Sequence, residues 1–490
     1  MNKPFALTVD VGTSSLKAVL YNAAGEVMDI ATSRYEYLSP RAEWAEANPE
    51  DWWTALVETV EQLREIHTNF HEIQALALTG QMHTAVLLDN RLEPLAPTIL
   101  WLDRRAVQET AELQQRLHMP AYQLNSTYTL PKLLWLVRNM PEVIARTRWL
   151  LWPKDYLRFR LTGHILTDIT EAGGAALLDW ETLTWAEERL SQIGISPDIL
   201  PPLCRPEDDA GTLLPEVANV LGLSSGIKVI VGAGDVLALI SSAPPLPGRV
   251  TCCLGSSSMV YYPLAEEQDI SDPLGRLYVY PLLPYRLLGG VSSTTGASLQ
   301  WAWRTLFPQD VPFEDAVKKA LQSPPGARQL IFLPFLSGER SPYWSDDLRG
   351  AFYGLSLSHT IGDMLRSVME GVAFSLRYLL AIYNELGIKI DEIALAGGGV
   401  NTPGWPQMIA DVCQLPVSVF CGEDTVTRAL YAYICQALEG TSDAFVPALL
   451  RTFGSANMVL PKSDLKMVYD PLFERYHKLS DFLYQLFSEV

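Results

Sequence analysis

Short apolar runs separated by tight polar turns open the chain. Residues 5–9 (FALTV), 16–21 (LKAVLY) and 26–30 (EVMDI) have the length and apolar content of strands. Asn-Ala-Ala-Gly at 22–25 is a turn sequence and joins the second run to the third. The pattern predicts an antiparallel meander of three strands.

A helical spacing of apolar residues follows the meander. Asn48 is a suitable N-cap, Pro49 suits the first helical position, and Glu50 and Asp51 suit the positive end of the helix dipole. The apolar residues expected on the buried face are Trp52, Trp53, Leu56, Val57, Val60 and Leu63. The buried strand at 73–80 (IQALALTG) comes next, so strands alternate with helices, which is typical of an α/β fold.

The same arrangement recurs after a proline-rich break at 243–248 (APPLPG). Residues 249–263 (RVTCCLGSSSMVYYP) again place a Gly-Ser corner between two strands, and the strand at 393–396 (IALA) runs into three glycines. We therefore expect two related α/β domains, 1–244 and 245–490. Facing polar corners in two such domains predict a ligand cleft between them.

Composition narrows the range of partners. The chain has 490 residues, is 48% hydrophobic and carries a net charge of −19 without a basic cluster, so we expect neither nucleic acid nor an anionic membrane as a partner. The chain has neither a signal-peptide pattern nor a run of about 18 apolar residues, which predicts a cytoplasmic protein. The cysteines form no C-x-x-C pair and are expected to be reduced core residues: Cys204, Cys252, Cys253, Cys413, Cys421 and Cys435.

The first polar corner has the groups that bind phosphate. Its residues present backbone N–H groups and hydroxyls between two strands: Gly12, Thr13, Ser14 and Ser15. Asp10, just before them, could hold Mg²⁺ directly or through water, and Lys17 could add a charge contact. An ordinary hairpin with an exposed aspartate is the alternative.

The second half repeats this chemistry. Its corner consists of Gly255, Ser256, Ser257 and Ser258, and one such turn in each half could grip a nucleotide with several phosphates. Three glycines after a strand let a flat group such as adenosine approach the backbone: Gly397, Gly398 and Gly399. A tight strand-to-helix turn is the alternative.

Several side chains at strand ends suit a hydroxyl substrate. Asp235 ends the strand sequence VGAGD and could accept a proton from an alcohol, with a helix N-cap as the alternative role. Gln81 and His83 suit recognition of a polyol, although a lone histidine is more often structural. Trp101 and Asp103, with the nearby Arg105, either line the same cavity or form surface ion pairs.

The motifs together resemble the FGGY carbohydrate kinases and are most similar to the xylulokinase branch. The matching segments run in order along most of the chain: DVGTSSLKAVLYNAAGEV, GQMHTAVLLD, ILWLDRRA, LPKLLW, PKDYLRFRLTG, GAGD, LGSSSMV, FLPFLSGERSPYWSDDLRGAFYGLSLSHT and AGGGVNTPGWPQMIADVCQLPV. The resemblance implies two ribonuclease-H-like domains of the actin, sugar kinase and heat-shock chaperone superfamily, closing around ATP and a sugar.

The resemblance also assigns roles to residues of this chain. It implies that Asp235 is the catalytic base and that Asp10, with Thr13 to Ser15, forms the Mg-ATP phosphate motif. Gly255 to Ser257 match the second phosphate loop, and Gly397 to Gly399 match the adenosine loop, whose motif includes Asn401. Met82 and His83 match the sugar-contacting pair of xylulokinases.

Some positions depart from the family pattern. Val236 follows the base where xylulokinases carry Asn or Gln, Arg104 fills a glycine position, and Thr427 and Arg428 are expected to crowd or redirect the nucleotide side. The interpretation is an ATP-dependent sugar kinase, with D-xylulose as the expected substrate. Gluconate, another pentulose or a polyol is the alternative, and a non-catalytic sugar- or ATP-binding regulator is an alternative of another class. A homodimer is left open.

Overall fold

The fold is described by a computed structural model that covers residues 4–119, 123–265, 268, 270–282, 285–345, 347–420 and 426–488. Two compact units divide the chain. Unit 1 comprises Met1–Ser241 and Asp424–Phe453, and unit 2 comprises Ser242–Glu423 and Gly454–Val490. The predicted second domain, 245–490, differs from unit 2 because residues 424–453 belong to unit 1.

The helices have the following bounds: α1 Pro49–Ile66, α2 Val107–Leu117, α3 Thr129–Asn139, α4 Pro141–Arg146, α5 Pro153–Thr162, α6 Ile169–Gly174, α7 Glu187–Gln192, α8 Pro215–Leu221, α9 Ala238–Ser241, α10 Gly296–Leu306, α11 Phe313–Gln322, α12 Ile361–Glu385, α13 Trp405–Cys413, α14 Arg428–Glu439, α15 Phe445–Arg451 and α16 Lys466–Ser488. The predicted first helix is confirmed, since the Asn48 side chain caps α1 by accepting from the N–H of Glu50.

Two main sheets contain the longer strands. Unit 1 has β1 Pro4–Val11, β2 Ser15–Asn22, β3 Val27–Arg34, β4 Ala75–Gly80, β5 Asp209–Thr212 and β6 Lys228–Ile230. Unit 2 has β7 Arg249–Leu254, β8 Ser258–Leu264, β9 Tyr278–Leu282, β10 Tyr285–Ser292, β11 Glu392–Ala396, β12 Val417–Val419 and β13 Asn457–Val459.

The sheet of unit 1 has the strand order β5-β6-β4-β1-β2-β3. Strands β1, β2 and β3 pair antiparallel, which confirms the predicted meander, whereas β4 runs parallel to both β1 and β6. Asp10 pairs with Thr79, and Ala77 pairs with Ile230. The carboxyl ends of β1, β4 and β6 therefore meet at one edge of the sheet, where ligands bind in α/β folds.

Both faces of this sheet are covered. Helices α1, α5 and α8 pack on one face around the fully buried Trp52 and Tyr156. Helix α14 contacts β1 and β4, and its Tyr431 ring lies 6.0 Å from Phe5 and 5.1 Å from Tyr21, centroid to centroid. A strand with two apolar faces needs a helix on each, and this packing explains why 424–453 joins unit 1.

Unit 2 repeats the topology with the strand order β9-β10-β8-β7-β11-β12-β13. An antiparallel set is again followed by parallel strands, because β7 pairs antiparallel with β8 and parallel with β11. Thr360 and Asp363 form the capping box of the long helix α12, whose inner face is buried in the core of the unit. The two predicted α/β halves are thus confirmed.

The described cysteines, Cys204, Cys252, Cys253, Cys413 and Cys435, carry free thiols, and Cys421 lies outside the described residues. Among the helices that the structure describes, none has the length and apolar character needed to cross a membrane.

Candidate active site

Asp10 and the turn after it lie at the end of β1. Asp10 is half-buried and stands opposite Lys17 across β1 and β2, so both residues point to the same face of the sheet. The N–H of Gly12 donates to the carbonyl of Ser15 at 3.0 Å, which closes the turn. A Cβ at position 12 would come within 2.9 Å of that carbonyl oxygen, so the turn requires glycine. Thr13 and Ser15 are half-buried and Ser14 is exposed.

Two predicted substrate-binding residues instead support this turn. The carbonyl of Gly12 accepts hydrogen bonds from the Gln81 amide at 3.0 Å and from the Tyr35 hydroxyl at 2.6 Å. The indole N–H of Trp101 donates to the hydroxyl of Thr13 at 2.9 Å. Gln81 is 2% exposed, so the expectation of a direct sugar contact is revised: Gln81 shapes the turn from inside the protein.

Asp235 starts a short 3-10 helix, residues Asp235–Leu237, which leads into α9. Solvent reaches its side chain. Even so, the surrounding protein atoms make the charged form unfavourable, and this desolvation together with the negative charge of Asp10 raises the pKa of Asp235 to about 7. The segments that follow β1 and β6 thus bring two carboxylates close enough for their charges to interact.

Met82 and His83 follow β4 at the same edge. Met82 is 6% exposed and packs against two glycines: a Cβ at Gly234 would lie 2.4 Å from its Cγ, and a Cβ at Gly174 would lie 2.5 Å from its Cε. His83 Nδ1 lies 2.5 Å from the carbonyl oxygen of Gly174, to which it must donate. Burial lowers the pKa of His83 to about 4, so the ring is neutral at pH 7 and Nε2 is left as an acceptor.

Asp103 belongs to a buried ion pair. Its carboxylate is 0% exposed and accepts from the Ala45 N–H at 2.6 Å and from the Arg105 guanidinium at 2.7 Å. Arg105 also contacts Glu46 at 2.7 Å and stacks 3.7 Å from the Trp44 ring centroid. The prediction that Asp103 contacts the substrate is therefore corrected, because its carboxylate oxygens are occupied inside the protein.

A cluster of buried charges was missed in the sequence. Lys154, Asp155, Arg158, Asp168 and Glu171 all have side chains without solvent exposure. The signal was present in PKDYLRFRLTG and TDITEAGG, where charged residues interrupt segments that otherwise read as buried. Charges in such a setting are rarely buried unless they are paired.

In unit 2 the predicted phosphate and adenosine segments lie side by side. The N–H of Gly255 donates to the Ser257 carbonyl at 2.9 Å, and the carbonyls of Gly255 and Ser256 accept from N–H groups at the start of α10. Gly397 has φ +86°, and a Cβ there would lie 2.6 Å from the carbonyl oxygen of Leu254, the residue before Gly255. Gly398 and Asn401 are exposed, and Gly399 is half-buried.

Thr427 and Arg428, which the sequence places on the nucleotide side, make contacts within unit 1. Thr427 is buried and its hydroxyl lies 2.9 Å from the hydroxyl of Tyr21, while Arg428 lies over Phe453 and reaches the carbonyl of Ser241. All these contacts are within unit 1 and help to pack α14.

The repeated sheet topology and the strand-end carboxylates define the class: an α/β phosphotransferase built from actin-like, ribonuclease-H-like domains. Residues 5–240 match the N-terminal domain of the FGGY family of carbohydrate kinases, and residues 250–427 match its C-terminal domain. The chain therefore belongs to the FGGY family of carbohydrate kinases, enzymes that transfer a phosphoryl group from ATP to a sugar hydroxyl.

Relatives with two different substrates resemble the chain. It is 33% identical over 416 residues to xylulose kinase of Bacillus subtilis, covering 83% of each protein. It is 32% identical to xylulose kinase of Escherichia coli over 96% of this chain and 97% of that protein. The crystal structure of gluconate kinase from Lactobacillus acidophilus superposes with a TM-score of 0.90 at 27% identity, covering 100% of both chains.

Proposed function

We propose that the chain phosphorylates a hydroxyl of a small neutral sugar, with D-xylulose as the substrate. The observation that carries the proposal is the grouping at one sheet edge of Asp235, Asp10 and the neutral His83. Xylulose kinases are also among its relatives at 32% to 33% identity.

Asp235 is the general base of the proposed reaction. It accepts the proton of the attacking sugar hydroxyl, and a pKa near 7 makes it a stronger base than an ordinary carboxylate while leaving it largely ionised above pH 7. Since solvent reaches the side chain, the proton can leave to water after the transfer. His83 accepts a hydrogen bond from a second sugar hydroxyl through Nε2, and Met82 packs beside it.

Each unit has a turn of its own with phosphate-binding groups in this proposal. Thr13, Ser14 and Ser15 of unit 1 and Ser256 and Ser257 of unit 2 supply N–H and hydroxyl donors for phosphate oxygens, and Gly397–Gly399 and Asn401 adjoin the adenosine. Asp10, whose charge acts on the nearby Asp235 carboxylate, would hold a Mg²⁺ ion, which prefers one or two carboxylates together with substrate phosphates. When bound, the ion supplies positive charge that neutralises the phosphates.

Gluconate is the second candidate, and the similarity to the gluconate kinase structure favours it. A hexonate needs a cation for its carboxylate. The side chain of Arg105 is 1% exposed and pairs with Asp103 and Glu46, whereas Arg104 is exposed and donates to the Ser126 hydroxyl at 3.0 Å. A carboxylate substrate would also be repelled by the negative charges of Asp10 and Asp235, so a neutral sugar fits better.

The test is a substrate panel with Mg-ATP: D-xylulose, D-ribulose, gluconate and glycerol, assayed by ADP release. We expect the highest kcat/KM with D-xylulose, at least tenfold above gluconate. Arg104→Ala should leave the D-xylulose value within about twofold, since an exposed arginine outside the charged pocket contributes little. Preference for gluconate, abolished by Arg104→Ala, would instead establish the second candidate.

A further inference from the structure

Four charged side chains form a cluster beneath the site, here termed the buried ion cluster: Lys154, Asp155, Arg158 and Asp168. The Lys154 ammonium lies 2.5 Å from Asp155 and 2.6 Å from Asp168, and the Arg158 guanidinium lies 2.9 Å from Asp155. None of these side chains is exposed, so none is in a position to contact a sugar or a nucleotide. Burying ions is unfavourable unless pairing compensates for the lost hydration, and their presence calls for a role.

The charges of the cluster balance, with two cations and two anions. Glu171 of α6 lies beside it as a further acid, and its carboxyl oxygens have no hydrogen-bond partner among the residues that the structure describes. Burial and the neighbouring carboxylates, Asp235 among them, raise the pKa of Glu171 well above its usual range, although Lys154 opposes this. The paired charges of the cluster thus lie beside an acid whose charged form the surroundings disfavour.

The cluster contacts the loop that carries Asp235 at two points. Arg158 Nη1 donates to the carbonyl oxygen of Val231 at 2.7 Å. Thr170, which is bonded to Asp168, accepts from the N–H of Gly234 at 2.8 Å through its hydroxyl oxygen. The two hydrogen bonds lie on either side of residues 232–233, where the chain turns from β6 toward Asp235.

The orientation of the Thr170 hydroxyl is fixed. Its O–H and its backbone N–H both point to Asp168 Oδ1, at 2.5 and 2.8 Å, so an oxygen lone pair is directed at the N–H of Gly234. Met82 packs directly against Gly234, where a Cβ would meet its Cγ at 2.4 Å. The peptide that precedes Asp235 is therefore held by both a hydrogen bond and van der Waals contact.

We propose that the buried ion cluster is a positioning device for the base: through Arg158 and Thr170 it fixes the main chain at Val231 and Gly234, and so sets where the carboxylate of Asp235 stands. Arg158 and Thr170 are positioning residues and touch no reacting atom. The inference rests on the proposed role of Asp235.

Thr170→Val is the main test, because valine keeps the shape of threonine but removes the acceptor for the Gly234 N–H. Displacing a reacting group by about 1 Å can reduce turnover by about 100-fold. We expect kcat to fall by about 10- to 100-fold, while KM for ATP and the binding of a fluorescent ATP analogue stay within twofold. A variant that merely unfolds would lose turnover and ATP binding together. A fall in kcat with unchanged ATP binding is therefore the result that supports the proposal.

Two matched variants serve as controls. Thr170→Ser keeps the hydroxyl, so its kcat should lie within about threefold of that of the parent enzyme. Thr59→Val makes the same substitution at a buried threonine of α1 whose hydroxyl donates to the Ala55 carbonyl, and it should leave kcat unchanged. Circular dichroism and thermal melts establish that each variant is folded.

The outcomes separate this inference from the proposed function. An active Asp235→Asn enzyme overturns the proposed function and, with it, this inference. If Asp235→Asn is inactive but folded Thr170→Val turns over normally, only the positioning role fails. If Thr170→Val does not fold, Arg158→Lys is the deciding variant. It keeps a positive charge facing Asp155 but removes the guanidinium that reaches Val231. A normal kcat in Arg158→Lys, or failure of both variants to fold, overturns the proposal.

Discussion

The two units share a strand topology but carry different chemistry at equivalent strand ends. In unit 1, β1 ends at Asp10 and β4 is followed by Met82 and His83. In unit 2, β7 occupies the place of β1 and is followed by Gly255, and β11 occupies the place of β4 and is followed by Gly397. The edge in unit 1 thus presents titratable side chains, whereas the edge in unit 2 presents glycine backbone together with serine hydroxyls.

This difference separates two tasks. Acid–base chemistry needs side chains whose pKa can be shifted by their surroundings, as for Asp235 and His83. Close approach of a flat or highly charged ligand needs N–H groups without a Cβ in the way, as at Gly397. The comparison predicts that substitutions of Asp235 and His83 change the chemical step and that substitutions of the glycines of unit 2 change nucleotide binding.

The largest expected effect is that of Asp235→Asn. Asparagine has the shape of aspartate but cannot accept the proton, so kcat should fall by about 100- to 10,000-fold, the range that general-base catalysis supplies. Binding of ATP, measured by calorimetry, should stay within twofold, because the change leaves the proposed phosphate and adenosine turns intact. Turnover within tenfold of the parent enzyme would remove Asp235 from the role of base.

The pH dependence of the reaction should follow the ionisation of Asp235. The base must be charged to accept a proton, and its pKa is raised to about 7 by desolvation and by Asp10. We therefore expect kcat/KM for the sugar to rise about tenfold per pH unit below pH 7 and to level off above it. His83, with a pKa of about 4, is already neutral throughout this range.

Asp10→Asn gives the matched test of that profile. Removing the neighbouring negative charge should move the midpoint of the acid limb to lower pH, since Asp10 raises the pKa of Asp235. An unchanged midpoint in this variant would show that the fall in kcat/KM at low pH reflects the ionisation of a group other than Asp235.

The sequence predicted strand-end residues well but their partners poorly. Asp10, Asp235 and the glycine turns follow directly from where apolar runs stop, which is a local pattern. Gln81 and Asp103 were expected to face the ligand, yet each is hydrogen-bonded inside unit 1 to residues distant in sequence, Gly12 and Ala45. Such partners depend on tertiary packing, which spacing along the chain does not encode.

The assignment of α14 shows the same limit. The chain after residue 245 reads as one continuous domain, and nothing local marks 424–453 as different. Tyr431 packs on Phe5 and Tyr21, which lie more than 400 positions earlier, and this contact decides which unit the segment joins. Long-range packing of this kind overrides the order of segments along the chain.

Gly397→Ala tests the proposed role of unit 2 in nucleotide binding, and its expected effect is smaller than that of Asp235→Asn. Gly397 has φ +86° and ψ 176°, a backbone conformation essentially restricted to glycine that costs another residue about 1–3 kcal/mol, and a Cβ would lie 2.6 Å from the Leu254 carbonyl oxygen. We expect a lower melting temperature and at least fivefold weaker ATP binding, with sugar binding unchanged by thermal shift.

Gly398→Ala is the matched control for stability, because no atom lies within 4 Å of a Cβ at that position. Its melting temperature should stay close to that of the parent protein. If the two alanine variants lose equal stability, the close approach at Gly397 does not explain the need for glycine.

Thr427→Val should have the smallest effect. It tests whether Thr427 contributes to the packing of unit 1. The change removes the hydrogen bond between the hydroxyls of Thr427 and Tyr21, 2.9 Å apart in the buried interior of unit 1. We expect a loss of about 1 kcal/mol in the free energy of unfolding, measured by urea denaturation, and a KM for ATP within twofold of the parent value. A tenfold rise in KM for ATP without loss of stability would instead show that Thr427 affects the nucleotide side, as the sequence alone predicts.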